Sequence, residues 1–490
     1  MSESEIALLT IITLPLLAGI VSFAVDHANL REAGIITVAV VTLYKVSELL
    51  IQAHGQTWTI PQVDLVELVP GLSLGFSIEP LGMIFAMIVA ILWLVTTIYA
   101  IGYMRGNHEG YQGRFFGFFA IAIFAAFGIA FASNLFTLFV FYEVLTLCTY
   151  PLVAHNGSDD AKRGARVYLG ILLATSLLFL LPAVLMTWLY TGTVDFIHGG
   201  IVQGSVSDGM AAFLLALFVF GIGKAAIMPM HRWLPAAMVA PTPVSALLHA
   251  VAVVKAGVFS MIKVVVYIFG TDYLQELMSL GWAYGAWVVY LAGLSIVVAS
   301  TVALMQDDLK KRLAYSTVSQ LSYITMSVFV LAPISVTAAA FHIAAHAFAK
   351  ITLFFAAGSI YTAAHKKKIS QLSGIGRAMP ITMVAFTIGA LSMIGVPPTV
   401  GFISKWYMLE GAFQVEQFFV VGVLIVSTVL NASYFLPVVY KAFFEEPDKP
   451  ITHKEAPLPI LLAISFTALA TCILFLVPDL FLDLANALKG

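Results

Sequence analysis

The sequence predicts an all-α polytopic membrane protein, on three observations. Of its 490 residues, 61% are hydrophobic and only 10% charged, where a soluble domain carries about 25% charged. Fourteen apolar runs of about twenty residues follow one another, each long enough for a helix to cross roughly 30 Å of hydrocarbon. The lysines and arginines between the runs crowd onto alternate links. About fourteen transmembrane helices are therefore expected.

The first run, 5–25, lacks a basic n-region and an A-x-A-like cleavage site and is expected to be a retained span. Runs at 33–52, 78–101 and 115–132 follow, then 134–154, parted from its predecessor only by Ala132–Asn134. Next come 166–190 and a proline-broken run at 209–240. The second half holds 243–269, 279–302, 312–332 and 334–363, the last two parted by Leu331–Ile334. A second broken run, 379–411, precedes 417–441 and 456–480. The longest polar excursions, 53–76 and 442–455, are too short to fold alone, so no soluble domain is expected. Cys148 and Cys472 lie in apolar runs and read as small core residues. There is no Gly-rich phosphate loop, no C-x-x-C and no metal-ligand cluster outside the span histidines. Neither covalent catalysis, a cofactor nor a nucleic-acid partner is expected. The net charge of −2 identifies no partner.

Charge sets the topology. Arg31; Arg105 and Arg114; Lys162, Arg163 and Arg166; Arg232; Lys310, Lys311 and Arg312; Lys366, Lys367, Lys368 and Arg377; and Lys441, Lys449 and Lys454 make up 17 of the 24 lysines and arginines. The opposite links hold only Lys489. Basic links stay in the cytoplasm, so an inner (plasma) membrane protein with both termini outside is expected. Six lysines fall inside runs: Lys45, Lys224, Lys255, Lys263, Lys350 and Lys405. A mere anchor would not keep six buried lysines, each costing roughly 2.5–3.5 kcal/mol at mid-membrane.

The two broken runs form a pattern. GIGKAAIMPMHRWLPAAM sets Lys224 beside Pro229 and Pro235, and SMIGVPPTVGFISKW sets Lys405 beside Pro397 and Pro398. Irregular backbone within a membrane is tolerated where protein buries it or where it lines a wet cavity. The breaks lie five runs apart, an odd number, so the units around them have opposite topology. Paired interrupted helices in inverted repeats mark an ion path.

The remaining ionisable residues extend it. Glu143, near the middle of its run, needs a cation, and Lys224 is the natural partner, whether as a fixed pair or as part of a transport path. Lys224 and Lys255 are expected at similar depth in neighbouring spans. His249, six residues before Lys255, reads equally as a helix contact or a relay. His342, His346 and Lys350 are spaced i, i+4, i+8 and stack on one helical face, a proton wire in the favoured reading; zinc would need a third ligand. Lys405 reads as the last relay or as a snorkelling side chain. Lys263 suits snorkelling as well as function. Lys45 and Glu48 are expected to satisfy each other, with Glu79 and Glu410 interfacial.

NLFTLFVFYE, GKAAIMPMHRWLPAAMVAPTPVSALLHA, VVKAG, DDLKKRLAYSTVSQLSYI, FHIAAHAFAK and GVPPTVGFISKW resemble the proton-conducting membrane subunits shared by respiratory complex I, membrane-bound hydrogenases and Mrp-type cation/proton antiporters. The resemblance covers most of 80–440. It implies fourteen helices: an N-terminal set at 1–114, two inverted five-helix repeats at 115–269 and 279–441, each with a broken helix, and a C-terminal loop and helix at 442–490. It also implies a Glu143–Lys224 pair, a central Lys255, a second-half relay of His342, His346 and Lys350, and an exit at Lys405. Partners would be other membrane subunits of a hetero-oligomeric complex. Lys405, the length and the lack of a long C-terminal extension are most similar to D subunits of Mrp (Mnh) Na+/H+ antiporters, with protons and Na+ as the ions. Gln320 stands where several relatives have histidine. A complex I-like or hydrogenase-like subunit, or the membrane subunit of an inorganic-carbon uptake complex, is the alternative implied.

Overall fold

The computed structural model describes residues 3–55, 62–447 and 454–489. Each apolar run falls on a helix or an interrupted pair of helices. Among the described residues, eleven helices are long and apolar enough to cross a membrane by length and composition.

The chain opens with α1 (Glu3–Ala24) and α2 (Ala28–Gly55). An antiparallel hairpin follows, β1 (Val63–Val69) and β2 (Leu72–Phe76), a small departure from the all-α expectation. It turns at Gly71, whose φ of +77° suits glycine. Then come α3 (Pro80–Gly106), α4 (Gln112–Ala130), α5 (Leu135–Val153), α6 (Asp159–Thr175) and α7 (Leu181–Thr191). Asn134 parts α4 from α5: its side chain accepts the Thr137 N–H at 2.8 Å, a cap worth about 1 kcal/mol. Between α6 and α7 a π-turn at Ser176–Leu180 adjoins Pro182, which has no N–H to give the helix.

The first broken run is α8 (Asp208–Gly221), two 3-10 turns and the one-turn α9 (Trp233–Ala236). The next span is built from α10 (Thr242–Ala246), a π-turn at Leu247–Val251, α11 (Val253–Lys263) and a second π-turn at Val264–Phe269. The short α12 (Thr271–Ser279) leads to α13 (Trp287–Leu304), which starts later than the apolar run because Gly281 and Gly285 take positive φ. Asp308 caps α14 (Leu309–Val328), and Pro333 opens α15 (Pro333–Ala364). The one-turn α16 (Ile375–Ala378) precedes α17 (Pro380–Ile394) and α18 (Val400–Gln414), the halves of the second broken run. The chain ends with α19 (Phe418–Phe444), α20 (Leu458–Leu476) and α21 (Asp479–Asn486).

Two spans sit at the centre. The 242–269 span and α15 are wholly buried along their apolar windows, while α1, α2 and α20 are mostly uncovered. Helices α3, α14, α17, α18 and α20 all pack on α15, and Tyr99 stacks on Phe355 at 3.9 Å to fix α3 against it. Polar side chains on these two spans answer to other helices and not to lipid.

The basic links meet at one end. Arg105 pairs with Glu32 at 2.5 Å, Arg114 donates to the His155 carbonyl, and Lys310 donates to the Ala240 carbonyl at 2.6 Å. Gly374 N–H donates to the Lys441 carbonyl. The hairpin lies at the other end, where Asn134 donates to the Ser73 carbonyl and Trp188 to that of Pro70. Lys449 and the side chain of Lys489 lie outside the described residues.

Asp307 clips two basic-end links together by accepting the Ser370 N–H and hydroxyl, both at 2.9 Å. Those bonds hold its carboxyl below the ordinary aspartate value. A depressed carboxylate contributes stability above its unfolded pKa and loses it as pH falls through the folded value. In detergent, thermal unfolding of the wild type is expected to drop below about pH 4 relative to Asp307→Asn, which lacks that pH dependence.

Candidate functional site

The first break exposes backbone groups, several of which are met by side chains. Trp233 Nε1–H donates to the Gly223 carbonyl at 3.0 Å, and the Met228 N–H donates to Ser295 at 3.2 Å. The break packs directly on α11: a Cβ on Gly257 would lie 2.2 Å from Ala225 N. Lys224 is fully buried. Its backbone N–H donates to the Tyr142 hydroxyl at 2.9 Å, and its ammonium donates to the Tyr142 carbonyl at 2.7 Å and Thr146 Oγ1 at 2.6 Å. The ammonium also lies 3.1 Å from the Tyr142 ring centroid.

The expected Glu143–Lys224 ion pair is not formed. Both Glu143 carboxylate oxygens are buried without a hydrogen-bond partner. Successive helical residues point about 100° apart, so Tyr142 and Thr146 share a face that Glu143 does not. Lys224 takes that face.

Nor do Lys224 and Lys255 face each other. Lys224 reaches α5, whereas Lys255 Nζ hydrogen-bonds His346 Nδ1 on α15. The ammonium can only donate, so Nδ1 accepts and the His346 proton sits on Nε2. His249 lies in the π-turn: its Nδ1 meets Thr317 Oγ1 at 3.1 Å, its ring packs on Phe354, and its buried Nε2 has no partner.

The His342–His346–Lys350 face is continuous and fully buried. His342 Nε2 donates to Gln320 Oε1 at 3.1 Å, and Ser404 lies 2.8 Å from its Nδ1. Gln320, which cannot titrate, thus orients the histidine. Lys350 donates to Ser316 Oγ at 2.8 Å. Among the described residues no cluster of three His, Cys, Asp or Glu stands ready for a metal ion.

Lys405 does not snorkel. Only 9% exposed, it turns back to the end of α17 and donates to the carbonyls of Met393 at 2.6 Å and Ile394 at 3.1 Å. The break at Pro397 and Pro398 leaves those carbonyls without helical donors, at the negative end of a helix dipole. Pro229 likewise stands in the first break, whereas Pro235 falls within α9.

Two sequence readings are corrected outside this line. Lys263 neither snorkels nor approaches solvent: it is wholly buried, pairs with Glu79 and lies 3.9 Å from the Phe196 ring centroid. Glu79, 15% exposed where α3 begins, keeps its interfacial position and serves there as the partner of the buried lysine. Lys45 and Glu48 do pair, at 2.7 Å. Residues not singled out from the sequence also matter here: Ser316, Thr317, Tyr323, Asn431 and Tyr434. The hydroxyl-rich run LAYSTVSQLSYITMS of α14 was the available signal for the first three; Asn431 and Tyr434 lie in the apolar run of α19.

A cavity of about 260 Å³ opens at the basic end, lined by Glu109, Pro241, Thr242, Lys310, Tyr361 and Lys366 among others. Burial pushes the Glu109 carboxyl up from its ordinary value.

A family profile described as NADH:quinone oxidoreductase/Mrp antiporter, transmembrane, matches residues 132–431, and one for the N-terminus of complex I NADH-ubiquinone oxidoreductase chain 5 matches 70–116. NADH-quinone oxidoreductase subunit N of Desulforudis audaxviator is 33% identical over 389 residues, covering 78% of this chain and 75% of the relative. Chloroplastic NAD(P)H-quinone oxidoreductase subunit 5 of Mesostigma viride is 33% identical over 358 residues, covering 70% of this chain; the match spans only 53% of that longer relative. The fold is similar to a chain of the Mrp complex from Dietzia sp. (TM-score 0.85, 22% identity, 100% of this chain and 97% of that one). It is also similar to a chain of an archaeal membrane-bound sulfane sulfur reductase (TM-score 0.86, 22% identity, 98% and 96%).

Removing one partner of a buried ion pair strands the other, at a cost of about 3–5 kcal/mol. Lys263→Ala is expected to lower the unfolding temperature in detergent sharply. The double variant Lys263→Met, Glu79→Gln should recover most of the loss.

Proposed function

We propose, from the premise that this chain belongs to the NADH:quinone oxidoreductase/Mrp antiporter transmembrane family, that it moves protons along Lys224, Lys255, His346, Lys350 and Lys405 as one subunit of a multisubunit membrane complex. One observation carries this reading. Among the described residues, none of these four lysines is tied to a carboxylate; they are held by carbonyls, hydroxyls, aromatic rings and a histidine. A lysine locked in an ion pair is a fixed cation. A lysine held by neutral groups can give up its proton without stranding a buried anion.

Protons reach the line from the basic-end cavity beside α10, pass His249 and the α15 face, and leave near Lys405. Glu143 acts as a gate: swinging the Lys224 ammonium from the Tyr142–Thr146 face to the unpartnered carboxylate changes how tightly it keeps its proton. The units 115–269 and 279–441 form inverted repeats, each with a buried lysine at its break. Basic links face the cytoplasm and both termini the outside of the plasma membrane.

In the finer reading, the complex is an Mrp-type Na+/H+ antiporter and this chain its D-like subunit, supported by Lys405 in the helix that follows the second break. The second reading, a pump module driven by electron transfer in a partner, is supported by the quinone-oxidoreductase names of the curated relatives. Purifying the native complex separates them: small hydrophobic antiporter subunits favour the first, quinone or hydrogenase subunits the second.

Proton flux in vesicles holding the assembled complex tests the path. Lys224→Ala and Lys405→Ala are each expected to slow flux by about tenfold or more, the effect of ~1.4 kcal/mol in a barrier. Glu143→Gln should slow it as well. Unchanged flux in all three, with normal assembly, would reduce the buried lysines to packing elements.

A further inference from the structure

Two hydrogen-bonded routes join the α15 face to the second break. One runs through His342, Gln320 and Ser404. The other starts at Lys350, which donates to Ser316 Oγ on α14 at 2.8 Å. The hydroxyls of Ser316 and Tyr434 meet at 3.0 Å, and Tyr434 also lies 2.5 Å from Asn431 Oδ1. Asn431 Nδ2 donates to the Met393 carbonyl at 3.2 Å, the same oxygen that takes the Lys405 ammonium at 2.6 Å. Ser316, Tyr434 and Asn431 are all fully buried.

Hydrogen counting gives this route a direction. A phenol has one hydrogen, and an amide oxygen only accepts. The Tyr434 hydrogen therefore goes to Asn431, and Ser316 supplies the one between the two hydroxyls. Ser316 in turn accepts from Lys350. Every donor points from Lys350 towards the Met393 carbonyl, which Lys405 approaches from the other side. A neutral amide does not pass a proton on, and neither does a carbonyl. The route ends in both.

We propose that Ser316, Tyr434 and Asn431 are positioning residues, which hold Lys350 at one end of a fixed chain and Lys405 at the other without carrying the proton themselves. The inference rests on the proton-translocation reading. It gives α19, which contributes no lysine or histidine to the line, a defined part in it. The Met393 carbonyl and the Ser316 hydroxyl are then both set by one helix. The charged and titratable groups around Lys350 are Lys405 on α18, Lys255 and His249 on the 242–269 span, His342 and His346 on α15 itself, and Arg312 on α14, which donates to the Tyr434 carbonyl. All are cations or histidines, so the neutral acceptors of the chain decide where each ammonium rests.

The test is the pH profile of proton flux through the native complex in vesicles. Ser316→Ala takes an acceptor from protonated Lys350, and the profile's midpoint is expected to move to lower pH by about one unit, the effect of one charge-assisted hydrogen bond. Asn431→Asp sets a carboxylate beside the Met393 carbonyl and Lys405, and should move the midpoint to higher pH. A purely structural role would change the amount of complex and leave the profile in place. Profiles that overlay the wild type at normal assembly overturn the proposal. So does failure of both variants to assemble, which would make these residues structural; if one assembles, its direction decides. Lys350→Ala, run alongside, separates the two claims: unchanged flux there would overturn the translocation reading itself.

Discussion

An ammonium taken out of water must be surrounded by oxygen atoms or ring electrons, and the interior of this bundle is arranged to supply them. Lys224 makes two charge-assisted hydrogen bonds and lies over an aromatic ring. At about 1.5–3 kcal/mol per such bond, the two offset an insertion cost of roughly 2.5–3.5 kcal/mol. Lys405 reaches the same balance with two carbonyls and the Tyr323 ring at 4.8 Å. Neither needs a carboxylate. Lys263, which has one, lies away from the line of titratable groups and is held as a fixed charge.

The two breaks share a sequence pattern but solve the problem differently. Lys224 lies inside its break, and its ammonium leaves the break to find the regular helix α5. Lys405 lies in the helix after its break and reaches back to carbonyls that the break left without donors. One lysine is held by a neighbouring helix and the other by its own interruption. Freeing Lys224 would break its bonds to the Tyr142 carbonyl and Thr146 on α5, whereas freeing Lys405 would leave the end of α17 short of a donor. The Met393 carbonyl keeps Asn431 and a long contact from Gln320, at 3.5 Å, when Lys405 leaves. The Ile394 carbonyl, whose side-chain donor is Lys405, is the group that would go short.

Much of this was legible in the sequence because a membrane restricts the options. Long apolar runs must be helices, and basic links must gather at one end. The i, i+4, i+8 spacing of His342, His346 and Lys350 fixed their common face before any coordinates. What stayed hidden was rotation about helix axes between elements. Glu143 and Tyr142 are adjacent in sequence, yet one meets Lys224 and the other does not. The π-turns at 176–180, 247–251 and 264–269 each shift the register of the residues that follow; Pro182 hints at the first, and no residue marks the other two. Lys263 and Glu79 lie far apart in the chain, so no local spacing could pair them.

The burial of α15 makes the rest of the arrangement intelligible. A helix packed on by α3, α10, α11, α14, α17, α18, α20 and α21, and stacked against α3 through Tyr99 and Phe355, is poorly placed to shift as a body. Its titratable groups stay in register while their partners differ in kind: Lys255 for His346, Gln320 and Ser404 for His342, Ser316 for Lys350. In the proposed path, changes at the two ends, where the Lys224 and Lys405 side chains would swing, reach a fixed middle in which only hydrogen bonds rearrange. A rigid centre with movable lysines at either end lets a proton advance without any central helix having to move, provided each ammonium has two places to rest. Lys224 has the Tyr142–Thr146 face and Glu143 as alternatives. For Lys405 the alternative in the proposed path would be the Ser404 hydroxyl on its own helix, which is hydrogen-bonded to His342 on α15.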